Sequence, residues 1–348
     1  PCYSTDDPKT TQMTDQSFTE KISKERSGRN LSCTDITSFD NLTKKDVELI
    51  FDLAKVAEEL LKGDMKKTSL LKGKSQINFF MEESTRTRTS FELAGKNLGA
   101  DTINISGNNS ALTKGETLLD TAITIDQMQP DIVVMRTGFS GAAEFFAKNM
   151  KATVVNAGDG WNEHPSQALL DIYTMLKHKP KLKGKKLTIV GDVLHSRVFG
   201  SLVRAAKRYG LEIVVSAPHT LIRPNMAEAW NIQHEPNIEK ALKNTDIVYA
   251  LRLQTERAAN ADVPTLREYS KTYVINAKRM QLAKKDAIVM HPGPVIRELD
   301  VHTNILETDL SVIPEQVFSG YCVRFALLLL LGEKRKEKNP EPRLYKPM

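Results

Sequence analysis

The chain has 348 residues, of which 40% are hydrophobic and 26% charged, a composition typical of globular proteins and a length sufficient for two domains. Its formal net charge is +6, but half of that excess falls in residues 333–348, and no cluster of cations with aromatic residues marks a nucleic-acid surface. Three widely spaced cysteines and an apolar run no longer than 325–331 argue against a disulfide framework, a cysteine metal site and a membrane span, so we expect a cytoplasmic protein without membrane or nucleic-acid partners.

The first residues are polar and lack apolar positions at helical spacing. We therefore expect residues 1–31 to form a disordered polar extension. They lack the apolar core of a signal peptide, and their acidic residues argue against a transit peptide. From residue 40 onward, apolar residues at helical spacing, such as Val47, Ile50 and Ala54, predict an amphipathic helix.

Short apolar runs alternate with helical stretches through the rest of the chain. The runs lie at 76–81, 102–105, 131–135 and 153–156 in the first half, and at 186–190, 212–215, 246–251 and 287–290 in the second half. This alternation predicts an α/β fold of two tandem parallel-sheet domains with four strands each, joined by interdomain helices.

The domain boundary falls within a predicted helix at 164–177, which Pro180 and Gly184 follow. We assign the first domain to 32–165 and the second domain to 166–312. A helix at 313–332, ended by Gly332, is expected to pack back on the first domain. Residues 333–348 are expected to form a mobile basic tail.

The segment 84–88, Ser-Thr-Arg-Thr-Arg, lies where the first predicted strand meets a helix. Ser and Thr are good N-caps, but the partial positive charge of a helix N-terminus disfavours arginines there. Free backbone N–H groups, hydroxyls and guanidinium groups would together suit a bound phosphate. The alternative is a surface helix whose arginines pair with Glu82 or Glu83, and the local pattern favours the phosphate site.

Three further polar features of the first half lie beside predicted strand or helix ends. Lys114 precedes a glycine in the segment 110–120, a polar loop that leads to a helix, either as a solvated side chain or as a cation that a mobile loop delivers to a pocket. Arg136 follows the strand 131–135, and ligands bind at the carboxyl ends of such strands, although many arginines there are simply exposed. The segment 164–167, His-Pro-Ser-Gln, begins a helix, so His164 and Gln167 could hydrogen-bond a ligand or serve as a structural cap.

The second half repeats the pattern of polar side chains at strand ends. The segment 191–198, Gly-Asp-Val-Leu-His-Ser-Arg-Val, is not a dinucleotide-binding motif, so no nicotinamide site is predicted. Arg197 and Arg252 each follow a predicted strand and would suit a dicarboxylate through bidentate contacts. The segment 290–294, Met-His-Pro-Gly-Pro, predicts a stiff turn that presents backbone carbonyls.

Taken in this order along the chain, these segments resemble the aspartate carbamoyltransferase family, catalytic chain, over residues 33–331. Segments 84–88 and 164–167 are shared by carbamoyltransferases in general, whereas 251–254, Leu-Arg-Leu-Gln, and 291–294 look like the aspartate branch. An ornithine enzyme would carry His-Cys-Leu-Pro near 291–294. The sequence departs from the family at Ile296 and Glu298, where the usual continuation is Asn-Arg-Gly.

The resemblance implies that the carbamoyl group of carbamoyl phosphate is transferred to the α-amine of L-aspartate, in de novo pyrimidine biosynthesis. It implies that carbamoyl phosphate, with Arg88 close by, is held by Ser84, Thr85, Arg86, Thr87, Arg136, His164, Gln167 and the backbone of Gly293 and Pro294. Aspartate would be held by Lys114, Arg197, Arg252 and Gln254. The residues expected to be catalytic, by stabilising charge on the carbonyl oxygen and the phosphate, are Arg86, Thr87, Lys114, Arg136 and His164.

The resemblance also implies a homotrimer with shared active sites. Ser110 and Lys114 would reach the site from a neighbouring subunit, and Glu82 would brace Arg197 and Arg257. Regulatory or dihydroorotase subunits could be partners, and neither a cofactor nor a metal is expected. Two alternatives stay open: a carbamoyltransferase for another amino-acid acceptor, and a non-catalytic subunit of a pyrimidine-pathway assembly.

Overall fold

Two parallel sheets, one in each half of the chain, organise the structure. The computed structural model describes residues 14–64, 66–82, 84–107, 116–254 and 265–333. Within these residues, every strand pairing between named strands is parallel, and helices connect successive strands. The predicted fold class, two tandem parallel-sheet α/β domains joined by interdomain helices, is confirmed.

The elements of the first half, in chain order, are α1 (Asp15–Arg26), α2 (Lys44–Lys62), β1 (Ser75–Phe80), α3 (Thr85–Leu98), β2 (Asp101–Ser106), α4 (Leu118–Gln127), β3 (Ile132–Thr137), α5 (Ala142–Asn149), β4 (Thr153–Asp159) and α6 (Pro165–His178). A 3-10 turn, Phe39–Asn41, precedes α2. The predicted amphipathic helix is α2, which begins after the N-cap Thr43 because the hydroxyl of Thr43 accepts a hydrogen bond from the backbone N–H of Asp46.

The elements of the second half are β5 (Lys186–Val190), α7 (Arg197–Arg208), β6 (Glu212–Ser216), α8 (Met226–Ala229), β7 (Gln233–His234), α9 (Ile238–Leu242), β8 (Ile247–Ala250), α10 (Leu266–Tyr273), α11 (Ala277–Met280), β9 (Ile288–Met290), α12 (Thr303–Leu306) and α13 (Ile313–Gly332). Strand β7 was not predicted, because a strand of two residues is too short to form a periodic pattern. Among the described residues, the second sheet therefore has five strands where four were predicted.

The first sheet has the order β2-β1-β3-β4, and apolar side chains pack on both faces of β1 and β3. Alternate residues of a strand point to opposite faces. Phe79 faces α5, where its ring stacks on Phe146 with centroids 5.7 Å apart, whereas Phe80 faces the main core. The near-continuous burial of β1, β3 and β4 explains why these strands read as apolar runs without alternation.

The second sheet has the order β7-β6-β5-β8-β9. In both sheets the first strand in sequence lies in the interior, and the next strands pair on either side of it. Each sheet therefore has a topological switch point, between β1 and β3 in the first and between β5 and β8 in the second. In open α/β sheets, the carboxyl ends of the strands at such a point form a crevice.

Helix α13 packs against α2 and α3, and also against α6. It is long and apolar enough to cross a bilayer, but most of its residues are buried inside the protein. The buried face includes a cation, Arg324, whose Nη1 donates a hydrogen bond to Ser90 Oγ at 2.6 Å. Burial among helices, rather than exposure to lipid, accounts for the apolar composition of α13.

The N-terminal segment differs from its prediction, because residues 15–26 form the helix α1 rather than a disordered extension. Thr14 and Ser17 form a capping box, and Phe18 and Ile22, one turn apart, are buried. The ring of Phe18 meets Phe325 of α13 edge to face at 6.0 Å. Two apolar positions among polar neighbours are too sparse to show helical periodicity, and the partner surface that stabilises them lies about 300 residues away in sequence.

We expect Phe18→Ala to undock α1. The substitution removes a fully buried ring from the contact with α13, and comparable core truncations cost about 3–5 kcal/mol. Hydrogen exchange should show faster exchange of the amides of 18–26 while the strands keep their protection. The matched control is Lys24→Ala, on the exposed face of the same helix; unchanged protection in Phe18→Ala would contradict the packing role.

Candidate active site

The crevices at the two switch points open into one cavity between the domains. The cavity has a volume of about 630 Å³ and is lined by residues of both sheets. Its lining consists of Glu82, Ser84, Thr85, Arg86, Thr87, Arg136, His164, Gln167, Ser196, Arg197, Val198, Leu251, Arg252, Gln254, Pro292, Gly293 and Pro294. Among these residues four are arginines and one is acidic, so the cavity is built for an anion.

Helix α3 points its N-terminus at the cavity without a side-chain cap. Its N-cap residue is Ser84, whose hydroxyl caps no backbone N–H and instead accepts a hydrogen bond from Arg136 Nη1 at 3.0 Å. The buried Thr87 and the exposed Arg86 follow in the first turn. Among the described residues, no side chain accepts from the backbone N–H groups of this helix start, and a guanidinium group lies beside them. This arrangement suits an anion.

Helix α6 presents a second uncapped N-terminus, with Pro165 in its first turn and His164 at the N-cap. The backbone N–H of His164 donates to Ser201 Oγ at 2.8 Å, which fixes the residue against α7. Its Nδ1 lies 3.4 Å from Ser166 Oγ, and within the described part of the chain its Nε2 has no hydrogen-bond partner. If Ser166 donates to Nδ1, the neutral ring carries its proton on Nε2 and offers a donor to the cavity.

His164 is held in its neutral form. Burial, and then the positive charges of Arg324, Arg136 and Arg197, lower the pKa of His164 well below its usual 6.5. A neutral imidazole donor polarises a carbonyl oxygen without transferring its proton.

Glu82 lies between the two domains and contacts an arginine of each. Its Oε2 is 2.6 Å from Nη2 of Arg197, which begins α7, and 3.6 Å from Nε of Arg136, at the end of β3. The expected contact of Glu82 with Arg197 is therefore present. Gly158 makes room for it, since a Cβ on this residue, at φ +121°, would lie 2.8 Å from Arg197 Cδ.

A buried carboxylate, Asp192, fixes the wall that the second domain contributes. It accepts hydrogen bonds from the backbone N–H groups of His195 and Gln254, and its carboxylate lies 3.0 Å from His195 Nδ1. The side chain of Gln254 donates to the carbonyl oxygen of His195 at 3.0 Å. Asp192 thus connects the segments that follow β5 and β8. Arg197 and Arg252 lie in these two segments.

The turn after β9 forms the remaining wall. The backbone N–H of Gly293 donates to Nδ1 of His291, and the other ring nitrogen of His291 lies 3.2 Å from Asp300. Asp300 also accepts a hydrogen bond from the backbone N–H of Ile296, so hydrogen bonds within the turn hold its conformation. Gly293 has φ +73°, and a Cβ there would lie 3.1 Å from Nε of Arg86, a close approach that favours glycine.

Beneath the cavity, the carboxylate of Asp171 accepts hydrogen bonds from three side chains. The donors are Gln167 and Gln316 to Oδ1, at 3.0 and 2.6 Å, and the Tyr249 hydroxyl to Oδ2 at 2.7 Å. Burial raises the pKa of Asp171 to about 7, although these three hydrogen bonds oppose the shift. The donors come from α6, α13 and β8, so this carboxylate joins both domains.

Except for Arg88, the described residues that were expected at the site all line the cavity. Ser110, Lys114 and Arg257 lie outside the described residues. Arg88, expected near the phosphate, instead donates to Ser106 Oγ at 3.1 Å and does not line the cavity. Ile296 and Glu298, where the sequence departs from the family, also lie outside the lining.

Three carboxylates that hold the walls in place were not predicted from the sequence: Asp171, Asp192 and Asp300. An acidic residue within an apolar helix face, as in Leu-Leu-Asp-Ile-Tyr at 169–173, was the available signal for the first. Among the described residues, no three His, Cys, Asp or Glu side chains come together as a metal site would require.

Two family descriptions match the chain. Residues 34–177 match "Aspartate/ornithine carbamoyltransferase, carbamoyl-P binding domain", and residues 183–331 match "Aspartate/ornithine carbamoyltransferase, Asp/Orn binding domain".

Individual relatives agree with these matches. The aspartate carbamoyltransferase catalytic subunit of Desulfitobacterium hafniense is 46% identical over 297 residues, which cover 85% of this chain and 95% of the relative. Aspartate transcarbamoylase from Trypanosoma cruzi, solved in complex with carbamoyl phosphate and aspartate, has a TM-score of 0.77 at 30% identity, with 85% and 96% of the two chains covered. Ornithine carbamoyltransferase from Thermus thermophilus shares the fold, with a TM-score of 0.75 at 23% identity and coverage of 86% and 99%.

The neutral state of His164 can be tested by NMR. We expect its imidazole signals, assigned with His164→Gln, to titrate with a midpoint well below pH 6.5 because burial and three arginines oppose protonation. The unfolded chain binds this proton near pH 6.5 and the folded chain does not, so His164 should lower the free energy of unfolding as the pH falls below about 6.5. A midpoint at or above 6.5 would contradict this electrostatic account.

Proposed function

The chain belongs to the aspartate/ornithine carbamoyltransferase family, and from this premise we propose that it transfers the carbamoyl group of carbamoyl phosphate to the α-amine of L-aspartate. The products are N-carbamoyl-L-aspartate and phosphate, a step of de novo pyrimidine biosynthesis. One observation carries the proposal: an anion site at the first switch point and two arginines at the second line a single cavity. An anionic donor and a dicarboxylate acceptor can therefore meet there.

In this proposal the first domain, 32–165, binds carbamoyl phosphate. The uncapped start of α3, with Ser84, Thr85 and Arg86, supplies N–H, hydroxyl and guanidinium donors for the phosphate oxygens. Thr87, Arg136 and His164 surround the carbamoyl carbonyl oxygen, and Gln167 contacts its amide. Gly293 and Pro294 contribute backbone groups from the turn that packs against Arg86.

The second domain, 166–312, binds aspartate through Arg197 and Arg252, whose planar guanidinium groups match two carboxylates. Gln254 lies beside them. Ornithine carries a cationic side chain in place of the second carboxylate, so the same pair of arginines would repel it. The positive charges of Arg197 and Arg252 therefore favour aspartate over ornithine as the acceptor.

The reaction follows from positioning and electrostatics. The neutral amine of aspartate attacks the carbonyl carbon, negative charge grows on the carbonyl oxygen, and the bond from carbon to the phosphate oxygen breaks. The phosphate leaves with the electron pair of that bond and takes the amine proton. Arg136, His164 and Thr87 stabilise the oxygen, and Arg86, with Lys114 from a neighbouring subunit, stabilises the phosphate; loss of one such donor costs about 10²–10³ in rate at comparable sites.

The proposal includes the assembly and the compartment. A homotrimer in the cytoplasm would complete each site with Ser110 and Lys114 of the adjacent subunit, and Arg257 would join Arg197 at Glu82 when the domains close. These three residues lie outside the described part of the chain, and their roles rest on the family resemblance. Regulatory or dihydroorotase subunits would be further partners.

The direct test is steady-state turnover with carbamoyl phosphate and several amines. We expect the purified protein to form N-carbamoyl-L-aspartate, identified by mass, and no carbamoyl-ornithine. Arg252→Met should raise KM for aspartate roughly 10- to 100-fold, since a hydrogen-bonded ion pair contributes about 1.5–3 kcal/mol. The control is Arg267→Met, the same change at an exposed position of α10, which should behave as wild type. Turnover with ornithine and not aspartate would overturn the assignment.

The shared site has its own test. Lys114→Ala and Arg86→Ala proteins should each be nearly inactive, and mixing them under conditions of subunit exchange should restore activity. With equal amounts and random assembly of a ring, about a quarter of the sites carry both intact side chains. Exchange is verified by native mass spectrometry with isotopic labels. No recovery after verified exchange would rule out delivery of Lys114 by a neighbour.

A further inference from the structure

We propose that Asp171, which does not line the cavity, is a positioning residue that turns the amide of Gln167 so that its carbonyl oxygen, Oε1, faces the substrate. The inference rests on the proposed function, because it assigns Oε1 as the acceptor for the NH₂ group of carbamoyl phosphate. Asp171 itself is fully buried and one helical turn after Gln167 on α6.

The direction of the network is set by a backbone group. The N–H of His291 donates to Oε1 of Gln316 at 3.0 Å, and a backbone N–H can only donate. The other end of this amide is therefore the NH₂ group, Nε2, which donates to Oδ1 of Asp171 at 2.6 Å. Oδ1 is thereby fixed as an acceptor.

Gln167 must then present a donor to Oδ1. Its Nε2 lies 3.0 Å from that oxygen, whereas the reversed amide would set two acceptor oxygens against each other. Oε1 consequently points away from Asp171. It has no hydrogen-bond partner among the described residues, and Gln167 lines the cavity.

This orientation holds whether or not Asp171 carries a proton. A proton on the carboxyl group would sit on Oδ2, where the oxygen of Tyr249, 2.7 Å away, can accept it. Oδ1 would still accept from both amides. The selection of Oε1 therefore depends on the geometry of three hydrogen bonds and not on the charge of Asp171.

The chemical consequence is selectivity for a carbamoyl group. Carbamoyl phosphate offers an NH₂ donor to Oε1, whereas acetyl phosphate has a methyl group at that position and inorganic phosphate has neither group. A reversed Gln167 would place its own NH₂ against the substrate NH₂. Asp171 should thus affect recognition of the carbamoyl amide and leave recognition of the phosphate unchanged.

The test compares binding of carbamoyl phosphate, acetyl phosphate and inorganic phosphate by calorimetry at low temperature. In Asp171→Leu, which is similar in size but has no acceptor, the preference for carbamoyl over acetyl phosphate should fall roughly tenfold, since one hydrogen bond is lost. Affinity for inorganic phosphate should change by less than about twofold, because this ligand has no NH₂ group that could lose a hydrogen bond to Oε1. Asp171→Asn keeps an acceptor for the two amides and should restore the preference.

Thr174→Val is the matched control. Thr174 is buried on the same helix, and its hydroxyl donates to the carbonyl oxygen of Leu170 at 2.7 Å without contacting Gln167. It should lose stability and keep wild-type selectivity. If circular dichroism shows that Asp171→Leu does not fold, Asp171→Ser, whose side chain is too short to reach either amide, takes its place.

An equal loss of affinity for all three ligands, or no change in preference, would overturn the positioning role. So would a loss in Asp171→Asn as large as that in Asp171→Leu. Failure of the proposed function is distinguishable, since a wild-type protein that forms no carbamoyl-aspartate would refute the function while the ligand-binding ratios still decide the role of Asp171.

Discussion

Glu82 lies between two guanidinium groups that belong to different domains, and the rest of the site depends on this contact. Arg136 ends a strand of the first sheet and Arg197 begins a helix of the second, and each has its charge opposed by the same carboxylate. Four arginines and two uncapped helix N-termini would otherwise repel one another across the cavity. The single carboxylate of Glu82 holds the two walls together. Because it offsets only part of the positive charge, the cavity still attracts an anion.

Buried carboxylates further from the cavity provide its rigidity. Asp192 joins two strand ends of the second sheet, Asp300 closes the last turn, and Asp171 connects α6, α13 and β8. Each accepts several hydrogen bonds, which offsets the cost of removing a carboxyl group from water. These buried carboxylates hold the walls in place through their own hydrogen bonds. The side chains that face the cavity can therefore keep donors and acceptors for a ligand.

The sequence was sufficient for features that depend on local patterns and insufficient for those that depend on partners distant in sequence. Long buried strands such as β1 and β5 were predicted from apolar runs, and the motif at 84–88 was predicted from a conflict between arginines and a helix start. Helix α1 was missed because its stability comes from Phe325, and β7 because two residues carry no pattern. The hydrogen bond from Arg88 to Ser106 could not be predicted either. The sequence does not show in which direction each arginine of the motif points, because the helix determines that direction.

The position of α13 has a consequence for how the protein is made. This helix covers α2 and α3 of the first domain, yet it is the last described element of the chain. A ribosome delivers the whole second domain before residue 313, so the first domain leaves the exit tunnel with an apolar face still uncovered. This face can be covered only after residue 332 has been synthesised. Folding of the first domain is therefore completed only after the second domain has been synthesised.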